Sequence, residues 1–233
     1  MPKSKILIIE DERALAEVLA LNLQREGFET VIAQDGRDGL RQAQLKRPDL
    51  IVLDLMLPGM PGLEVCRELR SGSQTRDIPI IMVTAKTDET DEIVGLAVGA
   101  DDYVTKPYRM KAVIQRIKKE IRRRQPVPDD QTLIESQGVV VDRVRHRAAY
   151  QGEELVLTPT EFRLLEVLLR QTGRAFSRHE LMDAAIGEDA MVLERTIDVH
   201  VKSLRRKLGA AADLIETVRG VGYRFHEPRL IES

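Results

Sequence analysis

The feature that most constrains the fold is a fivefold alternation of strand-like and helix-like segments in the first 124 residues. Two of the strand-like runs, Ile6–Ile9 and Ile51–Leu53, are apolar at consecutive positions, which is typical of a parallel sheet covered on both faces. The predicted strands are Ile6–Glu10, Thr30–Ala33, Leu50–Asp54, Pro79–Thr84 and Asp102–Thr105. The predicted helices are Arg13–Glu26, Gly36–Lys46, Gly62–Arg70, Thr87–Val98 and Arg109–Arg124. Five strand–helix repeats predict a doubly wound α/β domain with right-handed crossovers.

A different pattern follows the segment 125–131, which carries two prolines and two acidic residues and is predicted to be a linker. Short strand-like pieces come first, at Leu133–Glu135, Val139–Asp142, Ala148–Tyr150 and Leu155–Leu157. Three helical segments and a glycine-containing hairpin come next, at Thr160–Gln171, Arg178–Ile186, Arg195–Leu208 and Glu216–Phe225. This order predicts an α+β domain that ends in a two-stranded wing. The expected domains are therefore 3–124 and 132–229.

Composition indicates a water-soluble protein, because 42 % of the 233 residues are hydrophobic and 32 % are charged. No apolar run approaches the roughly 20 residues that a membrane helix needs, and we expect no membrane contact. The amino terminus turns acidic directly after its first apolar run, which is unlike a signal peptide. The single cysteine, Cys66, excludes an internal disulfide. These features predict a cytoplasmic protein.

The overall charge does not by itself indicate a nucleic-acid partner. The chain has a net charge of −2, and residues 125–233 carry 15 basic against 18 acidic side chains. Residues 195–225, however, hold seven basic and three acidic side chains. Since charges are screened within about 10 Å at moderate salt, a local basic patch is sufficient for phosphate binding.

Chemically active side chains follow the predicted strands at their carboxyl ends. Glu10 and Asp11 end the first strand and Asp54 ends the third, and in a doubly wound sheet these strands flank the position where ligands bind. Three crowded carboxylates repel one another unless a cation neutralises them, and oxygen ligands favour Mg²⁺ or Mn²⁺. Thr84 and Lys106 end the fourth and fifth strands, at the same edge of the sheet. Together these residues predict a phosphoryl-transfer site.

Each residue also has a simpler interpretation. The Asp54–Gly59 neighbourhood is compatible with an ordinary turn, and Glu10 and Asp11 are compatible with capping of the next helix. Tyr103 taken alone is more often a core residue than a functional one. The combined pattern, in order and at matching strand ends, favours the functional interpretation.

Four segments resemble the signature segments of receiver domains, over residues 3–124. They are Glu10–Glu12, Asp54–Gly59, Thr84–Ala85 and Gly99–Tyr108. The resemblance implies a five-stranded, flavodoxin-like sheet and a cis peptide between Lys106 and Pro107. It also implies site roles: phosphoacceptor Asp54; Mg²⁺ ligands Glu10, Asp11, Asp54 and the backbone carbonyl of Met56; phosphoryl-binding Thr84 and Lys106; and the switch residues Thr84 and Tyr103.

The predicted helix Arg195–Leu208 has two distinct faces. Spacings of i, i+4, i+7 and i+11 from Ile197 give an apolar stripe for the core. The same spacings from Arg195 give an opposite stripe, flanked by hydroxyl and imidazole groups: Arg195, Val199, Lys202 and Arg206, with Thr196, His200 and Ser203 beside them. Such a stripe suits a DNA major groove, although an ordinary solvated face remains the alternative. No Cys or His lies at metal-ligand spacing from His200, which favours a phosphate contact.

Three further segments resemble OmpR/PhoB-type effector domains, over about 132–226. They are Leu157–Leu165, Arg195–Val201 and Thr217–Phe225. The resemblance implies a winged helix-turn-helix domain in which Arg195–Leu208 is the recognition helix, with Arg205 among its DNA-binding residues, and Arg219 reaches a minor groove. The loop 187–194 lies where the family contacts RNA polymerase or its sigma factor. Two departures stand out, Ile186 where tryptophan is common and Ser203 where arginine is common, so the operator sequence cannot be transferred.

The resemblance also implies a dimer with charge pairs across a two-fold axis. By position these pairs are Glu92 with Ala112, Ala97 with Lys118, and Asp102 with Arg116. Only Asp102 and Arg116 retain opposite charges, so we expect weaker dimerisation than is usual in the family.

The sequence thus predicts a phosphorylation-dependent transcription factor rather than an enzyme. A sensor histidine kinase is the expected phosphoryl donor, and a phosphorylated homodimer is expected to bind promoter DNA at tandem half-sites. The layout is similar to that of phosphate-regulon regulators, which makes a phosphate-starvation role a hypothesis. Two alternatives are an adaptor that contacts RNA polymerase without reading DNA and a phosphorylation-independent regulator.

Overall fold

The computed structural model describes residues 3–85, 98–123, 132–186 and 195–227. The chain divides into two compact units, 1–125 and 126–233. Among the described residues, no helix has both the length and the apolar character needed to cross a bilayer.

The first unit is built on a five-stranded parallel sheet in the order β2-β1-β3-β4-β5. The strands are β1 Lys5–Ile9, β2 Glu29–Ala33, β3 Leu50–Asp54, β4 Ile80–Thr84 and β5 Asp102–Thr105. The central strands β3 and β4 are buried along their whole length, as their consecutive apolar residues predict. This strand order is that of the flavodoxin-like fold, and the predicted fold class is confirmed.

Among the described residues of this unit, four helices cover the sheet: α1 Arg13–Arg25, α2 Gly36–Lys46, α3 Gly62–Ser71 and α4 Met110–Arg123. The apolar face of α1 packs with α4 in a core that includes Leu19, Leu23, Val113 and Ile117. The helix predicted over Thr87–Val98 lies almost entirely outside the described residues.

In the part of the second unit that the structure describes, there are two antiparallel sheets and three α-helices. A four-stranded sheet, in the order β6-β7-β8-β9, comprises Leu133–Ser136, Val139–Asp142, Arg147–Tyr150 and Glu153–Leu155. The strand predicted at Leu155–Leu157 is wrong in position, because Gln151 and Gly152 form the turn with φ of 50° and 87° and pair Tyr150 with Glu153. A three-stranded sheet, in the order β10-β12-β11, comprises Phe176–Ser177, Ile215–Val218 (β11) and Gly222–Phe225 (β12).

The three helices of the second unit are α5 Pro159–Arg170, α6 Arg178–Ala185 and α7 Arg195–Leu208. Capping boxes begin two of them, Thr158 with Glu161 at α5 and Ser177 with Glu180 at α6. The stripe predicted on α7 is buried in the core of this unit and consists of Ile197, Val201, Leu204 and Leu208. A 3₁₀ helix over Gly209–Leu214 then leads into the hairpin of β11 and β12. We call this hairpin the wing.

Candidate functional site

Three carboxylates lie together at the carboxyl ends of β1 and β3, as the strand order predicts. Glu10 directly follows β1 and Asp54 ends β3, and the two strands pair in register with Ile9 opposite Leu53. One oxygen from each of Glu10, Asp11 and Asp54 lies within 4.8 Å of the others. Glu10 and Asp54 are buried, whereas Asp11 is exposed. The cluster therefore combines two desolvated carboxylates with one that is open to solvent.

Lys106 supplies the counter-charge to the two buried carboxylates. Its Nζ donates to Oε2 of Glu10 at 2.8 Å and to Oδ2 of Asp54 at 2.5 Å. Its backbone N donates to the carbonyl of Thr84 at 2.6 Å, which ties the ends of β4 and β5 together. Burial alone would lower the pKa of Lys106, but its hydrogen bonds to Asp54 and Glu10 raise it. The Lys106–Pro107 peptide is cis, as expected.

The carboxyl of Glu10 has an unusually high proton affinity. Burial raises the pKa of Glu10 to about 7; the hydrogen bond from Lys106 opposes this shift, and the neighbouring charge of Asp54 adds to it. The Glu10 carboxyl therefore takes up a proton near neutral pH. A divalent cation bound by these carboxylate oxygens would neutralise their mutual negative charge.

The remaining predicted residues surround this cluster in different ways. The backbone N of Met56 donates to Oδ1 of Asp54 at 2.8 Å, while the Met56 side chain is exposed. Thr84 is fully buried at the end of β4. Tyr103 is also buried, with 3 % of its surface exposed.

One residue that the sequence reasoning missed is Gly62, the first residue of α3. A Cβ atom at this position would lie 2.1 Å from the backbone oxygen of Asp54. Only glycine allows α3 to begin this close to the backbone of Asp54 and Leu55. The Pro61-Gly62 pair at the start of a helical pattern is the signal that would have indicated it.

In the second unit, part of the predicted cationic stripe of α7 is on the surface. Lys202 and Arg206 are exposed, and Val199 and Ser203 are partly exposed. Arg219 and Val221 are exposed in the turn of the wing. Arg195 begins the helix.

The prediction that Thr196 and His200 flank this stripe on the surface is wrong, because the structure buries both, with 0 % and 2 % exposed. The buried face of α7 is wider than its apolar stripe. It extends to the side of the helix that carries Thr196, His200 and Lys207. Lys207 donates to Oε2 of the buried Glu161 on α5 at 2.5 Å. The exposed face of α7 is therefore narrower than the helical projection predicted.

The prediction that Asp102 and Arg116 pair across a dimer interface stays a prediction, and within one chain the two residues already contact each other. In the structure Arg116 Nη1 donates to both carboxylate oxygens of Asp102 in the same chain, at 2.7 and 2.5 Å, and both residues are buried. Lys118 likewise pairs with Glu26 of the same chain. Desolvation favours satisfying such charges locally. Glu92 and Ala97 lie outside the described residues.

Comparisons with known proteins agree with this architecture. Residues 6–118 match the response regulator receiver domain family, and residues 152–225 match the C-terminal domain of transcriptional regulatory proteins. The phosphate regulon transcriptional regulatory protein PhoB of Rhizobium meliloti is 45 % identical over 94 % of this chain and 97 % of its own length. PhoB of Escherichia coli K12 is 41 % identical over 95 % of this chain and 97 % of its own length. Among solved structures, a RitR mutant superposes with a TM-score of 0.76 and 27 % identity, covering 97 % of this chain and all of that one.

The fold and its carboxylate cluster define a response regulator, with a receiver domain followed by a winged-helix DNA-binding domain. The chain belongs to the OmpR/PhoB family of response regulators and is homologous to the PhoB transcriptional regulators.

Proposed function

We propose that Asp54 is the phosphoacceptor of a phosphorylation-dependent transcription factor. The observation that carries the proposal is the Lys106 ammonium, which bonds to Asp54 and Glu10 together and is held by β5 at the same edge of the sheet. A cation in this position neutralises charge as a phosphoryl group approaches the carboxylate. The sensor histidine kinase that the family implies is the proposed donor.

In the proposed reaction, an oxygen of Asp54 attacks the phosphorus of a phosphohistidine or a small acyl phosphate. A new P–O bond forms to Asp54 as the bond from phosphorus to the donor nitrogen or oxygen breaks, and the donor departs with that electron pair. Lys106 and the Thr84 hydroxyl are the proposed ligands of the phosphoryl oxygens. Positioning and charge neutralisation supply most of the catalysis in such transfers.

The acidic cluster fits a hard divalent cation, and we propose Mg²⁺. The donor set consists of carboxylate oxygens, the raised pKa of Glu10 reflects burial and excess negative charge, and Asp11 is open to solvent. Glu10, Asp11, Asp54 and the carbonyl of Met56 are the proposed ligands. When bound, the cation supplies charge neutralisation for the transferred phosphoryl group.

We expect the apparent affinity for Mg²⁺ to fall about tenfold between pH 8 and pH 6. The cation competes with a proton on Glu10, whose pKa is about 7, so lower pH favours the protonated, metal-free state. Isothermal titration calorimetry of Mg²⁺ binding across this range measures the effect. Glu10→Gln cannot take up this proton and should show weaker but nearly pH-independent binding. Equal affinity of the parent chain at both pH values would contradict the role of Glu10.

We propose that α7 is the recognition helix, which contacts the major groove through Arg195, Val199, Lys202, Ser203 and Arg206. Arg219 in the wing is proposed to enter an adjacent minor groove. Support comes from the exposure of Lys202 and Arg206 on one helix and of Arg219 in one turn of the winged-helix domain. Promoter DNA with tandem half-sites is the proposed target, bound by a phosphorylated homodimer whose proposed interface includes Asp102 and Arg116.

We expect Lys202→Ala to weaken binding to all DNA sequences alike and to reduce the slope of log K against log salt by about one. Lys202 is exposed and is proposed to contact phosphate, so its loss removes about one released counterion. Fluorescence anisotropy over a range of salt concentrations measures both quantities. Arg145→Ala, an exposed cation in the turn between β7 and β8, is the matched control and should keep the parental slope. An unchanged slope for Lys202→Ala would contradict the assignment.

The domain limits and two further partners are also proposals. The receiver domain is proposed to span 3–124, the linker 125–131 and the effector domain 132–229, which agrees with the division into units near residue 125. Contact with RNA polymerase or sigma factor is proposed for the loop 187–194, and the protein is proposed to act in the cytoplasm.

A further inference from the structure

Tyr223, in the wing strand β12, links three elements of the effector domain. Its hydroxyl donates to Oδ1 of Asp198 on α7 at 2.7 Å. The same oxygen accepts from Nε of Arg178, the first residue of α6, at 2.8 Å. The guanidinium carbon of Arg178 also lies 5.3 Å from the centre of the Tyr223 ring. One buried phenol therefore joins the wing to two helices.

Arg205 makes a second link between α7 and the wing, two turns after Asp198. Its Nε and Nη2 both donate to the carbonyl of Ile215 in β11, at 3.1 and 2.8 Å, and Nη2 also donates to Oγ1 of Thr217 at 2.9 Å. Its guanidinium carbon lies 5.4 Å from the centre of the Tyr223 ring, within cation–π range. Thr217 and Tyr223 are directly opposite each other in the hairpin. Arg205 therefore engages the wing at the same register as Tyr223.

The exposed tip of the wing lies close to these contacts. Tyr223 is two residues from Val221, and the Thr217–Tyr223 pair is one step from the last pair of the hairpin, Val218 with Gly222. At about 3.3 Å per residue, the distance to the tip along the strand is about 7 Å. Fixing Tyr223 against α7 therefore limits where Arg219 can point relative to the helix.

We infer that Tyr223, Asp198 and Arg205 are positioning residues that hold the wing at a set angle to the recognition helix. The inference rests on the proposed DNA-reading role of α7 and the wing. Through this contact the two elements enter adjacent grooves as one rigid unit, and the contribution of Arg219 to DNA affinity depends on the Tyr223 hydroxyl. Arg205 accordingly positions the wing, and we do not expect it to contact a DNA phosphate.

A double-mutant cycle between Tyr223→Phe and Arg219→Ala tests the inference in the full-length chain. The probe is a duplex selected by the parent chain from a random-sequence library, with A·T or G·C pairs in its flank. We expect Arg219→Ala to weaken binding to the A·T form about tenfold in the parent chain and less than about threefold in the Tyr223→Phe background. Tyr150→Phe, at a hydroxyl that contacts Gln151 instead, is the matched control and should be additive with Arg219→Ala.

Arg205→Ala and Arg205→Lys test the second part. Both variants should keep the parental salt slope and lose the coupling to Arg219, because a lysine retains the charge but cannot reproduce the forked contact with Ile215 and Thr217. Loss of about one unit of slope in Arg205→Ala would make Arg205 a phosphate contact and overturn this part.

Folding is checked by circular dichroism, and Asp198→Ala, which removes the acceptor of the Tyr223 hydroxyl, replaces Tyr223→Phe in the cycle if the latter does not fold. The inference would be overturned if Arg219→Ala weakened DNA binding by the same factor in the parent chain and in the Tyr223 or Asp198 variant. That result would hold even if the variant lowered stability, because a residue with a purely structural role leaves the contribution of Arg219 to DNA affinity unchanged. Failure of the parent chain to distinguish the selected duplex from a scrambled one would instead overturn the proposed DNA reading.

Discussion

Replacing Asp54 by asparagine should reduce labelling by acetyl phosphate and Mg²⁺ to background. Asparagine is nearly isosteric and retains an oxygen for the hydrogen bond from the backbone N of Met56, but it has no anionic oxygen to attack phosphorus. Lys106 keeps Glu10 as a partner in this variant, so its ammonium group is not left unpaired. Phosphate-affinity electrophoresis and intact-mass spectrometry measure the incorporated phosphoryl group.

The control for this experiment is Asp38→Asn, at a carboxylate on α2 that pairs with Arg41 and is not part of the acidic cluster. It should be labelled at the parental rate, and chelation of Mg²⁺ should block labelling of the parent chain. Labelling of Asp54→Asn at the parental rate would mean that another side chain, such as Glu10 or Asp11, accepts the phosphoryl group. Peptide mapping of the labelled product would then identify that residue.

The fold of the receiver domain was predictable because its signal is redundant. Strands β3 and β4 are apolar at every consecutive position before their terminal polar residue, and a parallel strand buried on both faces has no other simple pattern. The four-stranded sheet of the effector domain was less predictable, since its strands are only three or four residues long. There the positions of strands depend on turns, and the positive φ of Gln151 moved the last strand ahead of the apolar pair at Val156–Leu157.

The convergence of Glu10, Asp54 and Lys106 was predictable because strand ends meet at one edge of a parallel sheet. The burial of Thr196 and His200 was not predictable. A helical projection gives the direction of a side chain around the helix axis, but it does not show how wide the contact between α7 and the rest of the domain is. On α7 the contact with α5 includes Lys207, whose partner Glu161 lies 46 residues earlier. Polar side chains in such contacts leave no apolar pattern.

Partner choice among charges was the least predictable feature. Asp102 and Arg116, which the family resemblance predicts to pair between two chains, also contact each other within one chain. Sequence patterns identify which residues carry charge, but the partner of each charge depends on which groups are desolvated together. The same limitation concealed the buried pair of Arg70 and Asp101, which has the largest expected effect on stability.

Arg70→Met should destabilise the receiver domain by about 3–5 kcal/mol, because it removes one member of a buried ion pair. The side chain of Asp101 is fully buried, and its Oδ2 accepts from Arg70 Nη2 at 2.7 Å and from the backbone N of Ile80 at 2.9 Å. The same guanidinium donates to the carbonyls of Gly99, Arg76 and Ile78. Methionine keeps the length of the side chain but satisfies none of these groups.

Hydrogen exchange with mass spectrometry measures the effect in the full-length chain, since peptides from residues 3–85 and 98–123 report on the receiver domain alone. The expected loss corresponds to exchange of the core amides about a hundred to several thousand times faster, at about 1.4 kcal/mol per factor of ten. Arg67→Met, at an exposed arginine on the same helix, is the matched control and should exchange like the parent. Adding Asp101→Asn to Arg70→Met should restore part of the protection, because a neutral amide costs less to bury unpaired than a carboxylate. Equal protection in Arg67→Met and Arg70→Met would mean that the network around Asp101 contributes nothing to stability, and that packing of β4 and β5 alone holds this edge of the sheet.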